Sequence, residues 1–107
     1  GLHAGRFDMF CAMPWQRSMH AKEVTYSVPV RYSALHLFTR ADDTRFDDDV
    51  SKLNAPEYKV SVMDGEFSQI YPAKYFPKAT QVAIPELGDV SHIFLNVASG
   101  KADAVFN

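Results

Sequence analysis

The group of residues best spaced for chemistry is Asp64-Gly65-Glu66-Phe67, where two carboxylates flank a glycine. It directly follows Tyr58, Val60, Val62 and Met63, a β-rich apolar run long enough for one buried strand. Asp64-Gly65 is a turn signal, because glycine takes backbone angles forbidden to other side chains. Beyond it, Glu66 to Tyr71 reads as the first turns of a helix. A helix that starts just after a strand aims N–H groups and a partial positive charge beyond the sheet edge. In open α/β sheets that edge, at the carboxyl ends of the strands, is where ligands bind. The stretch fits two readings equally: one wall of a small-molecule site, or an ordinary strand-to-helix turn with no ligand.

Other reactive residue types are scattered. His20, His36 and His92 fall on three separate elements, and no nucleophile, base and orienter are recognisable together. His36, within Leu35-His36-Leu37, and His92, on the polar side of the last helix, read as structural. Cys11 stands alone, which rules out an internal disulfide; between Phe10 and Ala12 it reads as a buried small hydrophobe. Asp42, Asp43, Asp47, Asp48 and Asp49 superficially suggest a calcium loop, without the central glycine and closing glutamate that one needs. That segment reads as a solvated loop with a short helix from Asp48 to Leu53. No metal-ligand spacing is present, no cofactor is implied, and a binding protein is expected rather than an enzyme.

The elements that must position the 64–67 turn follow from pattern. At 107 residues, 47% apolar and 22% charged, the chain is one domain's worth of ordinary globular composition. A net charge of -2 gives no footprint for nucleic acid, no Lys/Arg run suggests a membrane surface, and the apolar runs are too short to span a bilayer. Phe7 to Ala12 predicts a strand, entered from Ala4-Gly5, where a glycine commonly closes a helix; the chain is expected to begin at that helix's end. Val30 to Thr39 predicts one or two strands, and Thr80 to Ile84 another, closed by Pro85. The helix after Gly65 carries Phe67, Ile70, Tyr71 and Tyr75. Asp89 to Ser99 predicts a helix with an apolar stripe of Val90, Ile93, Phe94, Val97 and Ala98, an N-cap at Asp89 and a stop at Gly100. Ala102 to Phe106 predicts a last strand. The order after Arg40 is β-α-β-α-β, which argues an α/β fold with a parallel or mixed sheet and flanking helices.

Ala4-Gly5-Arg6-Phe7-Asp8 and Ser99-Gly100-Lys101-Ala102-Asp103 repeat one pattern of helix end, glycine, basic residue, apolar residue, Asp and strand, which suggests two related lobes. The first of these, with Ala21 to Pro29 and Gly100 to Val105, resembles the extracellular solute-binding proteins of ABC importers, in the cluster that handles polar amino acids. The resemblance implies one lobe of a two-lobed flytrap, the periplasmic-binding-protein fold. Residues 1–27 would be the end of the first lobe, and 28–107 the second lobe, with Val28 to Tyr32 the first hinge crossing. In that family an Arg shortly before the Ser-x-Pro stretch clamps the ligand carboxylate. Here that place holds His20, with Arg17 three residues earlier. Either Arg17 takes over the clamp, or the ligand lacks an α-carboxylate, or both are surface residues. The family's second-lobe turn follows Gly with Thr or Ser; here Gly65 is kept, Asp64 precedes it and Glu66 follows. Glu66 suits the helix dipole, and in a cleft it would repel an anion and attract an amine or guanidinium. Trp15 is a candidate wall for the solute by position, and the family's acidic residue for the ligand amino group would fall just past Asn107.

The implied function is binding of a small polar solute, most simply an amino acid, by hinge closure for uptake through a membrane permease, in the periplasm or outside the cell. Alternatives are the sensor domain of a signalling receptor or kinase and, more remotely, a dehydratase on the same fold. The chain starts Gly-Leu-His, without initiator Met or signal-like regions, so it is read as processed or as a piece of something longer. The apolar strand at Phe7 to Ala12 offers an edge through which a homodimer could pair.

Overall fold

Five residues, Lys59–Met63, organise the sheet, because both neighbours of that strand run parallel to it. The computed structural model describes residues 4–9, 11, 24–29, 31–85 and 88–107. They divide into two units, Gly1–Ala34 and Leu35–Asn107. In the first, Ala4–Gly5 forms a turn with Gly5 at φ 71°. The strand expected over Phe7 to Ala12 is not formed in its described residues, 7–9 and 11. A strand exists only as a ladder of backbone bonds to a neighbour, and among the described residues none forms here. Phe7, Met9 and Cys11 are exposed, so Cys11 is not the buried hydrophobe its surroundings in sequence suggested, and the edge expected to pair a homodimer is absent there.

The second unit carries β1 (Leu37–Phe38), a 3-10 turn at Val50–Leu53, β2 (Lys59–Met63), α1 (Phe67–Tyr75), β3 (Thr80–Ile84), α2 (Ser91–Ala98) and β4 (Ala104–Phe106). Strand order is β1-β4-β2-β3, with β1 antiparallel to β4 and the others parallel, so the sheet is mixed with flanking helices. Register sets Val60 opposite Ala104 and Met63 opposite Ile84. Side chains alternate across β2 and β4 and feed two cores. Val60, Val62, Ala104 and Phe106 join Phe46 and Leu53 on one face, where Tyr71 and Phe76 of the α1 region cover them. Met63 and Val105 join Ile93 and Val97 of α2 on the other. Ser61, buried on that second face, accepts a hydrogen bond from Asn96 Nδ2 at 3.2 Å.

Local sequence explains the boundaries. Asp49 accepts the Ser51 N–H, and the turn after it is 3-10, starting at Val50 rather than Asp48. The N-cap of α2 is Val90 rather than the expected Asp89, which lies one residue earlier and accepts the Ser91 N–H at 2.9 Å. Gly100, at φ 82°, ends α2 as expected, its N–H donating to Val97 O. Only Ile93 and Val97 of the predicted stripe are buried; Phe94 is half-buried, and Val90 and Ala98 are exposed.

The 41–49 loop is mostly exposed, as expected, but Asp43, Arg45 and buried Phe46 tie it to the fold. Arg45 holds Asp43 through Nε at 2.9 Å and Nη2 at 2.6 Å, and reaches Asp103 at 2.8 Å. Asp103 in turn accepts the Lys59 N–H and donates its own N–H to Lys59 O. Arg40 donates to the carbonyls of Val97 and Ala102. These contacts tie the amino ends of β2 and β4 to the end of α2.

Candidate functional site

The path of the chain marks where a ligand would sit. It runs from β2 through α1 to β3 on one side, then through α2 to β4 on the other side of β2. The reversal falls between β2 and β4, and α1 and α2 lie on opposite faces. In open α/β sheets the crevice beyond the carboxyl ends of such strands takes ligands. Here those ends are Met63 with the 64–67 turn, and Phe106 with Asn107. Asn107 is paired with His36 by reciprocal backbone hydrogen bonds of 3.0 Å, which also brings the start of β1 to this edge.

Four of the residues singled out from sequence, Asp64, Gly65, Glu66 and Phe67, form that turn; Trp15, Arg17 and His20 lie outside the described residues. Gly65 has φ 77°, which requires glycine or a strained side chain, and Glu66 N–H closes the turn on Met63 O at 3.1 Å. Asp64 N–H donates to Ile84 O, joining the turn to the end of β3. Glu66 is the N-cap of α1, and its side chain makes no capping hydrogen bond. Its carboxylate is therefore near the positive helix end without substituting for a hydroxyl cap. Phe67 is half-buried and stacked on Tyr71, ring centroids 6.0 Å apart, and Tyr71 packs against Phe106 at 5.1 Å. Asp64 and Gly65 are exposed; Glu66 is half-buried.

Two residues that hold the turn were missed. Buried Ser68 accepts the Met63 N–H at 3.0 Å, satisfying a donor at the last residue of β2. Gln69 accepts the Gly65 N–H through Oε1 and donates through Nε2 to Asp64 Oδ1, both at 2.9 Å. A signal for Gln69 was present: it sits three residues after the N-cap, where Glu or Gln reaches back in a capping box. It reaches one residue further, to Gly65. Among the described residues, no three His, Cys, Asp or Glu are grouped so as to hold a metal. Among the described residues, a strongly perturbed carboxylate lies at the opposite edge, where hydrogen bonds from Arg45 lower Asp43 from 3.8 to about 2.

No model of a known protein family matches the chain, and no curated protein matches it. Solved structures do. The chain is similar to the crystal structure of an ancestral amino acid-binding protein, AncCDT-1, described as a precursor of cyclohexadienyl dehydratase. The TM-score is 0.88 and the identity 26%, over 99% of this chain and 46% of that one. A structure described as an ancestral cationic amino acid solute-binding protein, also AncCDT-1, matches with TM-score 0.75 and 25% identity, over 99% of this chain and 45% of that one. The chain thus spans less than half the length of these neighbours and has the fold of one lobe of a periplasmic-binding protein, similar to amino acid-binding members of that fold.

Proposed function

We propose that this chain forms the second lobe, with the approach to its hinge, of a two-lobed receptor for a small polar solute, most simply an amino acid. Residues 1–27 end the first lobe, and 28–107 build the second with the first hinge crossing. The observation that carries the reading is the 64–67 turn, placed at the reversal point of a lobe that matches amino acid-binding neighbours over 99% of its length. The candidate ligand-binding residues of this lobe are Asp64, Gly65, Glu66 and Phe67, and those that the sequence adds before the hinge are Trp15, Arg17 and His20. Arg17 takes the carboxylate, because a guanidinium is always charged and grips it with two hydrogen bonds. Contacts to both lobes stabilise the closed state, and that closed receptor delivers the solute to the permease of an ABC importer in the periplasm or outside the cell. Its role is binding rather than catalysis.

The test is a thermal-shift screen of the longer, two-lobed protein containing this chain against the twenty amino acids, polyamines and small organic acids. A ligand above its dissociation constant raises the melting temperature by mass action. An amino acid is expected to do so, and Arg17→Ala to abolish the shift. The 107-residue chain alone is expected to bind the same ligand weakly or not at all, because closure over both walls is lost. If no compound shifts the two-lobed protein, the receptor reading falls.

A further inference from the structure

We propose that Gln69 is a positioning residue of this solute site, which makes the 64–67 turn a seat for a cationic group rather than for a carboxylate. The inference rests on the receptor reading above. A turn at the start of a helix ordinarily offers backbone N–H groups to an anion. Here the two at the corner are committed within the protein: Gly65 N–H to Gln69 Oε1 at 2.9 Å, and Glu66 N–H to Met63 O at 3.1 Å. The same side-chain amide then holds Asp64 Oδ1 through Nε2 at 2.9 Å. Chemistry allows one orientation only. A backbone N–H can only donate, so Oε1 must face Gly65; an ionised carboxylate can only accept, so Nε2 must face Asp64.

Gln69 is half-buried and Asp64 exposed, so an anchored amide fixes an outward carboxylate. A solute carboxylate placed at this corner would meet Asp64 with both corner donors already used. An ammonium or guanidinium would instead make a charge-assisted hydrogen bond to a carboxylate already ordered to receive it. The cationic group can be the α-ammonium or a side-chain cation, and the experiment separates the two.

The two-lobed protein is titrated calorimetrically with L-arginine, with L-citrulline, which lacks the side-chain cation, and with N-acetyl-L-arginine, which lacks the α-ammonium. Gln69→Ala is expected to weaken arginine about tenfold, the size of one charge-assisted contact. The analogue lacking the group that faces the turn should be insensitive to the substitution. Asp64→Asn, which keeps an acceptor for Gln69 and removes the charge, is expected to give the same selective loss with an unchanged melting temperature. Equal weakening of all three ligands would make Gln69 merely structural and overturn the proposal, as would no weakening of any. If some amino acid binds but the variants act in neither selective way, the receptor reading survives and this inference fails. If none of the screened amino acids, polyamines and organic acids binds, both fall together.

Discussion

Asp43 carries a charge whose value to the protein is set by its neighbours. Its side chain is only 5% exposed, and the Arg45 guanidinium beside it lowers its carboxyl from 3.8 to about 2. The hydrogen bonds that Arg45 donates to Asp43 and Asp103 hold it all the more firmly protonated, while its guanidinium lies 5.3 Å from the rings of both Phe46 and Tyr58. The folded value lies below the unfolded one, so this carboxylate contributes stability above about pH 4 and loses it as the pH falls toward 2. Urea midpoints measured at pH 7 and pH 3 should therefore converge in Asp43→Asn relative to the unaltered chain. At pH 7 the variant should be less stable by about 1 kcal/mol, the scale for a network with an exposed arginine. An unchanged pH 7 midpoint would remove the network from the account of stability. None of this was legible in the sequence. The loop reads as a run of Asp among polar residues, and the residue that completes the network, Asp103, lies 58 positions from Arg45.

Elements were legible wherever local pattern decides them. The apolar run at 58–63, the Asp64-Gly65 signal, the run at 80–84 closed by Pro85 and the stripe of α2 give β2, α1, β3 and α2 to within two residues. Tertiary pairing decides the rest. Of the one or two strands expected over Val30 to Thr39, the described residues form only Leu37–Phe38, whose partner β4 is itself three residues long. In α2 the five-residue stripe overstates the buried face, since Val90 precedes the helix and Ala98 ends it. Ile93, 1% exposed between α2 and the sheet, should therefore cost about 2–5 kcal/mol when changed to alanine. Leu95, 55% exposed two residues on, should cost within about 0.5 kcal/mol for the same change. Equal losses in chemical unfolding would mean that α2 does not pack by this face. The candidate site was half legible for the same reason: the Gly65 turn is local, whereas Gln69 shows its role only once the helix brings it back over the turn.

At the scale of the whole unit, the alternation of elements predicted an α/β lobe and the structure has one. Strand order was not encoded in that alternation, because sequence order says nothing about which side of β2 each crossover takes. β2 emerges as the centre, with parallel neighbours on both sides, a helix on each face and Val60, Ser61 and Val62 fully buried. Amides exchange through openings whose cost is highest where burial and pairing are densest. In native-state hydrogen exchange, the amides of 60–62 should be the last to exchange and those of α1 earlier. Slowest exchange in α1 or β3 would move the stable centre away from β2.

The strand order also has a kinetic consequence. Of the four strands of this sheet β4 is the last to be synthesised, yet it lies between β1 and β2, so Leu37 and Phe38 pair in the sheet only when Val105 and Phe106 arrive. Until then β2 and β3 can pair, but β2 has one open side, with Val60 and Val62 waiting for Ala104 and Phe106 to complete their face. Closing a sheet between the two ends of a unit carries the entropy of the whole intervening loop. This sheet is therefore completed only after β4 is made, with the open side of β2 covered by β4.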